Sequence, residues 1–150
     1  MKTLIKFLST GFFAGYIPFA PGTMGTIVGA FLYWYLLPDN NILYFLIILT
    51  AIALGVHICG KAENIFEKKD DQRIVLDEII GIWVSMLWLP RSAAVLLSGI
   101  ILFRFFDILK PFFIRKVQAW KGGIGVVADD IFAGLLTNIV LWVFLILKNR

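Results

Sequence analysis

The strongest constraint in this chain is a series of apolar runs cut by short turn clusters, with no polar block large enough to make a soluble domain. Residues 26–37 end at Pro38-Asp39-Asn40-Asn41, residues 42–58 end near Gly60-Lys61, and Ile74 to Leu89 ends at Pro90-Arg91-Ser92. A fourth run goes from Ser92 to about Leu109, where Pro111 stops it, and a last helix is expected to begin at Asp129 and reach Leu147. The composition agrees: 60% hydrophobic, 16% charged, mean hydropathy +0.89, against about 45–50% and about 25% for soluble domains. The expected fold is therefore all-α, a polytopic membrane bundle of about five short transmembrane helices within one domain over residues 1–150. Several runs fall short of the roughly 20 residues that cross a bilayer, so the spans borrow flanking residues or do not cross fully.

Residues 3–20 are interrupted by Gly11, Gly15 and Pro18 and are expected to form an interfacial or re-entrant segment. Lys2 and Lys6 before apolar residues resemble a secretion signal, but no small-x-small site closes the run, so the segment is expected to be retained. A lone cysteine, Cys59, excludes an intramolecular disulfide and a CxxC metal knuckle. The net charge is +4, but the bases are scattered between apolar runs, which speaks against a nucleic-acid partner. The membrane is the expected partner, and homo-oligomerisation is left open.

Charge asymmetry orients the bundle. With each apolar run crossing once, 11 of the 14 Lys and Arg residues fall on the side of the N-terminus, and Arg91, Lys148 and Arg150 fall on the other. Basic residues mark the cytoplasmic side, giving five crossings with the N-terminus inside and the C-terminus outside.

The same threading aligns the acids in depth. Asp77 lies 13 residues before Pro90, and Asp107 lies 16 residues after Arg91; at 1.5 Å per residue these are about 20 and 24 Å. Asp77, Glu78 and Asp107 therefore share a level with Asp129, Asp130 and the Pro21-Gly22-Thr23-Met24-Gly25 turn. Asp77, Gly81 and Ser85 form one stripe at four-residue spacing, and Asp130, Gly134 and Asn138 form another. Small residues let membrane helices approach closely, which places these acids at helix contacts. Four of the acids could be helix N-terminal charges favoured by the dipole, but Asp107 lies near a helix C-terminus, where an acid is unfavourable.

Carboxylates without histidine or cysteine partners are hard ligands suited to Mg²⁺. Arg104, Lys110, Arg115 and Lys121 supply cations for phosphate oxygens. Thr23 or Thr26 is a candidate cap for the helix after Pro21, whose N-terminus offers free N–H groups to an anion. Carboxylates, a divalent cation and bases at a membrane face suggest phosphoryl chemistry on a lipid headgroup, with metal-activated water as nucleophile. Cys59 lacks the arginine of a cysteine-phosphatase loop and reads as a small buried hydrophobe; His57 reads as a packing residue.

Three blocks make the sequence resemble the phosphatidylglycerophosphatase A family. They are Pro21-Gly-Thr-Met-Gly25; Asp70-Asp71 with Ile74-Val75-Leu76-Asp77-Glu78-Ile79-Ile80-Gly81; and Phe103-Arg104-Phe-Phe-Asp107-Ile-Leu-Lys110-Pro111 continued by Gly122-Gly123 and Asp129-Asp130. Gln72, where proline is common, and Lys121, where histidine is frequent, depart from the pattern without removing an acid. The resemblance implies Mg²⁺-dependent removal of the terminal phosphate of phosphatidylglycerol phosphate, a phospholipid substrate, at the cytoplasmic face of the bacterial inner membrane. It implies Asp77, Glu78, Asp107, Asp129 and Asp130 as the catalytic set, with Asp77, Glu78, Asp107 and Asp130 toward metal. Arg104 and Lys110 are implied as phosphate ligands, with Gly22 and Thr23 as further candidates.

Two other classes compete. A headgroup phosphotransferase would use the same metal, but its paired DGxxAR and GxxxDxxxD pattern is missing. A non-enzymatic transporter or assembly protein would keep the charges for conduction or packing.

Overall fold

The computed structural model describes residues 1–120 and 122–148, with the side chains of Phe112, Phe113 and Arg115 outside the description. Among the described residues the fold is all-helical: α1 (Lys2–Ser9), α2 (Pro21–Tyr35), α3 (Asn41–Phe66), α4 (Leu76–Ser85), α5 (Ala93–Leu109), α6 (Phe112–Gln118) and α7 (Gly123–Lys148), with a 3-10 turn at Ala14–Tyr16.

The turn clusters act as the sequence indicates. Asn40 caps α3 by accepting from the Leu43 N–H at 2.9 Å, and Ser92 caps α5 by accepting from Val95. Lys110 closes α5 in the left-handed region at φ 42°, directly before Pro111.

Three expectations need correction. The first is the count of about five crossings. Two helices, α3 and α7 with 26 residues each, are long and apolar enough to span a bilayer. The other three expected crossings, α2, α4 and α5, have 15, 10 and 17 residues. Ten residues rise only about 15 Å, because α4 gives way to turns at Met86 and Leu87 well before Pro90.

The second concerns the start of α2. No threonine caps it: Ala20 is the N-cap residue, Pro21 occupies the first turn, and the Thr26 hydroxyl donates back to the Gly22 carbonyl at 3.0 Å. Proline fits the first turn because it has no N–H to leave unpaired.

The third concerns α7, which begins at Gly123, six residues ahead of Asp129. Gly123 lies against the backbone of Val56 and Gly60, where a side chain would collide, so the glycines let α7 start early by seating its first turn directly on α3.

The short helix α4 is the centre of the bundle, packed most closely on α7 and α2 and also on α3 and α5. Seven of its ten residues are buried. The two expected stripes meet here. A Cβ on Gly134 would lie 2.5 Å from the Gly81 carbonyl, and the Asn138 amide donates to the Ser85 and Leu87 carbonyls at 3.0 and 2.9 Å. Asn138 thus satisfies carbonyls that the end of α4 leaves without helical partners. On the other side of α4, Trp83 donates its indole N–H to the Gly29 carbonyl of α2, and Tyr44 of α3 donates to the Trp83 carbonyl. Outward-facing positions on α3, α5 and α7 are apolar and exposed, as in Leu46, Leu54, Ile101, Phe105, Ile139 and Phe144. That is the reverse of a soluble bundle, in which such faces are polar.

Candidate active site

One cavity of about 590 Å³ opens at the end of the bundle where α2, α4, α5 and α7 meet. Its floor is acidic and buried: Asp77, Asp107, Asp129 and Asp130 are each no more than 9% exposed. Glu78, Arg104 and Lys110 complete the polar lining, and Gly22 brings the first turn of α2 to its wall. All five acids, Arg104, Lys110 and Gly22 are therefore brought together, as the depth argument anticipates. Thr23 does not line the cavity. Lys121 lies outside the described residues, as does the side chain of Arg115.

The charges divide into two groups. Asp77, Glu78 and Asp130 each place a carboxylate oxygen within 4.8 Å of the others. Glu78 Oε2 and Asp130 Oδ1 are buried and accept no hydrogen bond within the protein. Buried carboxylate oxygens without donors are costly unless a cation or ligand satisfies them. Three hard oxygen donors around one point fit Mg²⁺.

Asp107 and Asp129 are held differently. The Arg104 guanidinium lies 2.7 Å from Asp107 Oδ2 and 3.7 Å from Glu78 Oε1. Lys110 Nζ lies 2.6 Å from Asp129 Oδ2 and 3.9 Å from Asp107 Oδ1. The three-residue spacing of Arg104, Asp107 and Lys110 puts all of them on the cavity side at the end of α5. This accounts for an acid near a helix C-terminus: two cations from its own segment offset the unfavourable dipole. Asp107, expected toward the metal, is paired with the bases and at the same time adjoins Asp130 and Glu78 of the tight acidic group.

The early start of α7 also matters. Its first turn holds no acid, and Asp129 and Asp130 are its seventh and eighth residues, where dipole stabilisation has largely faded. Their burial has no explanation in helix capping. Asp129 Oδ1, like Asp130 Oδ1, accepts no hydrogen bond.

Gly22 is where glycine is required by close approach. A Cβ there would collide with Glu78 Oε1 and come within 3.0 Å of both terminal nitrogens of Arg104. Three non-glycine residues with positive φ, Ala20 (49°), Asp70 (49°) and Lys110 (42°), line the same cavity. Backbone held in this region costs of order 1–3 kcal/mol per residue and collects at functional sites.

Asp70, Gln72, Ile74, Pro18 and Ile108 also line the cavity, although the sequence assigns none of them a role. Asp70 reads as part of a solvated loop, and only its place in the Asp70-Asp71 block singled it out. Its backbone N–H donates to Glu63, and its carboxylate accepts from Gln118 of α6 at 2.6 Å. Next to it, Asp71 accepts two side-chain hydrogen bonds from Arg73, at 2.7 and 2.9 Å, which hold its carboxyl below the usual carboxylate range. Arg73 in turn lies over the Phe66 ring, 4.1 Å from its centroid. Cys59 is fully buried on α3, as a packed hydrophobe would be, and His57 lies on the exposed face of that helix.

Comparison with known proteins points the same way. The family described as Phosphatidylglycerophosphatase A matches residues 7–145. A Bacteroides thetaiotaomicron protein, provisionally named a phosphatidylinositol-3-phosphatase, is 36% identical over 89% of this chain and 89% of its own length. Phosphatidylglycerophosphatase A of Escherichia coli is 36% identical over 90% of this chain and 80% of its own length. The Haemophilus influenzae protein of the same name is 37% identical over 92% of this chain and 86% of its own. No solved structure shows a significant match.

Proposed function

The chain belongs to the phosphatidylglycerophosphatase A family, and from that premise we propose that it is a phosphoric monoester hydrolase acting on phosphatidylglycerol phosphate. Hydrolysis leaves phosphatidylglycerol and inorganic phosphate. The observation that carries this reading is the cavity, in which six carboxyl groups from α4, α5, α7 and the loop before α4 converge with Arg104 and Lys110 of the α5 end, beside exposed apolar surface.

The residues divide the work. Arg104 and Lys110, now paired with Asp107 and Asp129, neutralise the oxygens of the incoming phosphate. The backbone of the first turn of α2 at Gly22, with Thr23 nearby, adds N–H donors at a helix N-terminus. Asp77, Glu78 and Asp130 would hold Mg²⁺. When bound, the ion would polarise a phosphate oxygen and make a nearby water more acidic. Attack by water forms one phosphorus–oxygen bond and breaks the bond to the glycerol oxygen. The proton passes from water, by way of a cavity carboxylate such as Asp129, to the leaving oxygen. Asp107 acts by holding Arg104 and Lys110 in place.

The bundle sits in the bacterial inner membrane with this cavity toward the cytoplasm, the side on which Lys68, Lys69 and Arg73 follow α3 around the rim residues Asp70 and Gln72. α3 and α7 cross fully, and the shorter helices pack around them.

The deciding assay measures phosphate release from phosphatidylglycerol phosphate by the purified chain, with Mg²⁺ and then with EDTA. Release that EDTA abolishes supports the proposal. Absence of release with Mg²⁺ overturns it. A phosphoinositide monoester assayed in parallel tests the substrate class named for the Bacteroides relative.

A further inference from the structure

The rim of the cavity is chemically mixed. Asp70 and Gln72 expose polar groups, whereas Pro18 and Ile108 expose apolar ones, with Ile108 69% accessible. Ile108 is also the end of a longer feature. Leu97, Ile101, Phe105 and Ile108 recur at spacings of four, four and three along α5, which is the outward stripe of a helix. All four are more than half exposed. The 11 residue steps from Leu97 to Ile108 rise about 16 Å. A single leaflet is about half of a hydrocarbon core roughly 30 Å thick, so the stripe is one leaflet long and ends in the cavity wall.

Resting on the proposed function, we infer that this stripe of α5 is the acyl-chain track of the substrate. The phosphorylated headgroup enters past Ile108 into the cavity, while the acyl tails stay in the leaflet along Ile108, Phe105, Ile101 and Leu97. The occupant follows from continuity, because Ile108 belongs both to the cavity wall and to the stripe. The exposed apolar surface around Leu46 on α3 contributes no residue to the cavity lining. The track makes the enzyme selective for a phosphomonoester borne on a membrane lipid over the same headgroup on short chains. Discrimination comes from packing of long tails along the stripe, since tails in the leaflet are already out of water and gain only close contact.

The test compares kcat/KM for long-chain phosphatidylglycerol phosphate in mixed micelles with that for its dihexanoyl form. Substituting Ile108→Asn or Ile101→Asn is expected to lower the long-to-short ratio at least fivefold, while Ile108→Leu restores it and Leu46→Asn does not change it. An unchanged ratio in both asparagine variants overturns the inference. So does an equal fall in Leu46→Asn, which would mark general lipid contact. A loss of oligomer in Ile101→Asn with the ratio intact also overturns it, since a second copy of the chain would then cover the stripe. If the unaltered chain releases phosphate from neither substrate, the proposed function falls and this inference with it.

Discussion

Lys110 and Asp129 join the end of α5 to the second turn of α7, with Nζ 2.6 Å from Oδ2 across the floor of the cavity. Asp129 is 6% exposed at its side chain and Lys110 23%, so the pair is largely removed from water. Removing the lysine alone leaves a buried carboxylate without its main partner, which costs about 3–5 kcal/mol in comparable buried pairs. Lys110→Met is therefore expected to lower the unfolding temperature in detergent and to abolish phosphate release. The double variant Lys110→Met with Asp129→Leu is expected to regain most of the stability and none of the activity. Recovery of activity in the double variant would show that the pair is structural only.

Gly22 gives the sharpest steric prediction. The smallest side chain there must displace Glu78 or the Arg104 guanidinium. Gly22→Ala is expected to reduce kcat/KM for phosphate release at least tenfold, about 1.4 kcal/mol of transition-state stabilisation, with little change in unfolding temperature. Near-normal activity would mean that neither side chain needs its present position.

The acidic group Asp77, Glu78 and Asp130 predicts a metal effect. Asp130→Asn and Asp77→Asn are expected to cut activity by about two orders of magnitude or more, as removal of charge-stabilising groups does elsewhere. They are also expected to weaken the Mg²⁺ dependence seen in a titration. In the unaltered chain, Mg²⁺ is expected to raise the unfolding temperature, because an ion that binds only the folded state stabilises it. Both asparagine variants should lose that rise. A full rise in Asp130→Asn would remove this residue from the ligand set.

Asp71 predicts a pH effect outside the cavity. Its carboxyl is held below the ordinary carboxylate range, chiefly by the Arg73 hydrogen bonds. A depressed folded value means that the pair stabilises the fold above the ordinary range, and that this contribution disappears as pH falls through the folded value. The drop in unfolding temperature between pH 6 and pH 3 is therefore expected to be smaller in Asp71→Asn than in the unaltered chain. Equal drops would show that the pair contributes nothing measurable.

The α4–α7 contact predicts a packing effect. Gly134→Ala would drive a methyl group toward the Gly81 carbonyl, 2.5 Å away, and against Val84. Overpacking of this kind typically costs about 1–3 kcal/mol. The loss should appear as a lower unfolding temperature with the Mg²⁺ response retained.

Much of this was legible in the residues. The apolar runs announced helices, Asn40 and Ser92 announced their starts, and the four-residue stripes headed by Asp77 and Asp130 announced the α4–α7 contact. Depth counting brought Asp77, Glu78 and Asp107 to one level. The start of α7 was hidden, because Gly122-Gly123 reads locally as a turn. Only contact with the α3 backbone at Val56 and Gly60 shows why a helix begins there. The length of α4 was hidden too, since hydropathy continues to Leu89 after the helical hydrogen bonding has ended.

The sequence by itself determined an apolar helical chain with five acids and several bases at one end, because hydropathy period and residue order are local properties. It also carried the family blocks. Only the tertiary structure decided that Asp77, Glu78 and Asp130 form one oxygen cluster while Arg104 and Lys110 occupy Asp107 and Asp129. The reason is geometric. Charges interact over a few ångströms, and those separations are set by how closely Gly22, Gly81 and Gly134 let the helices approach.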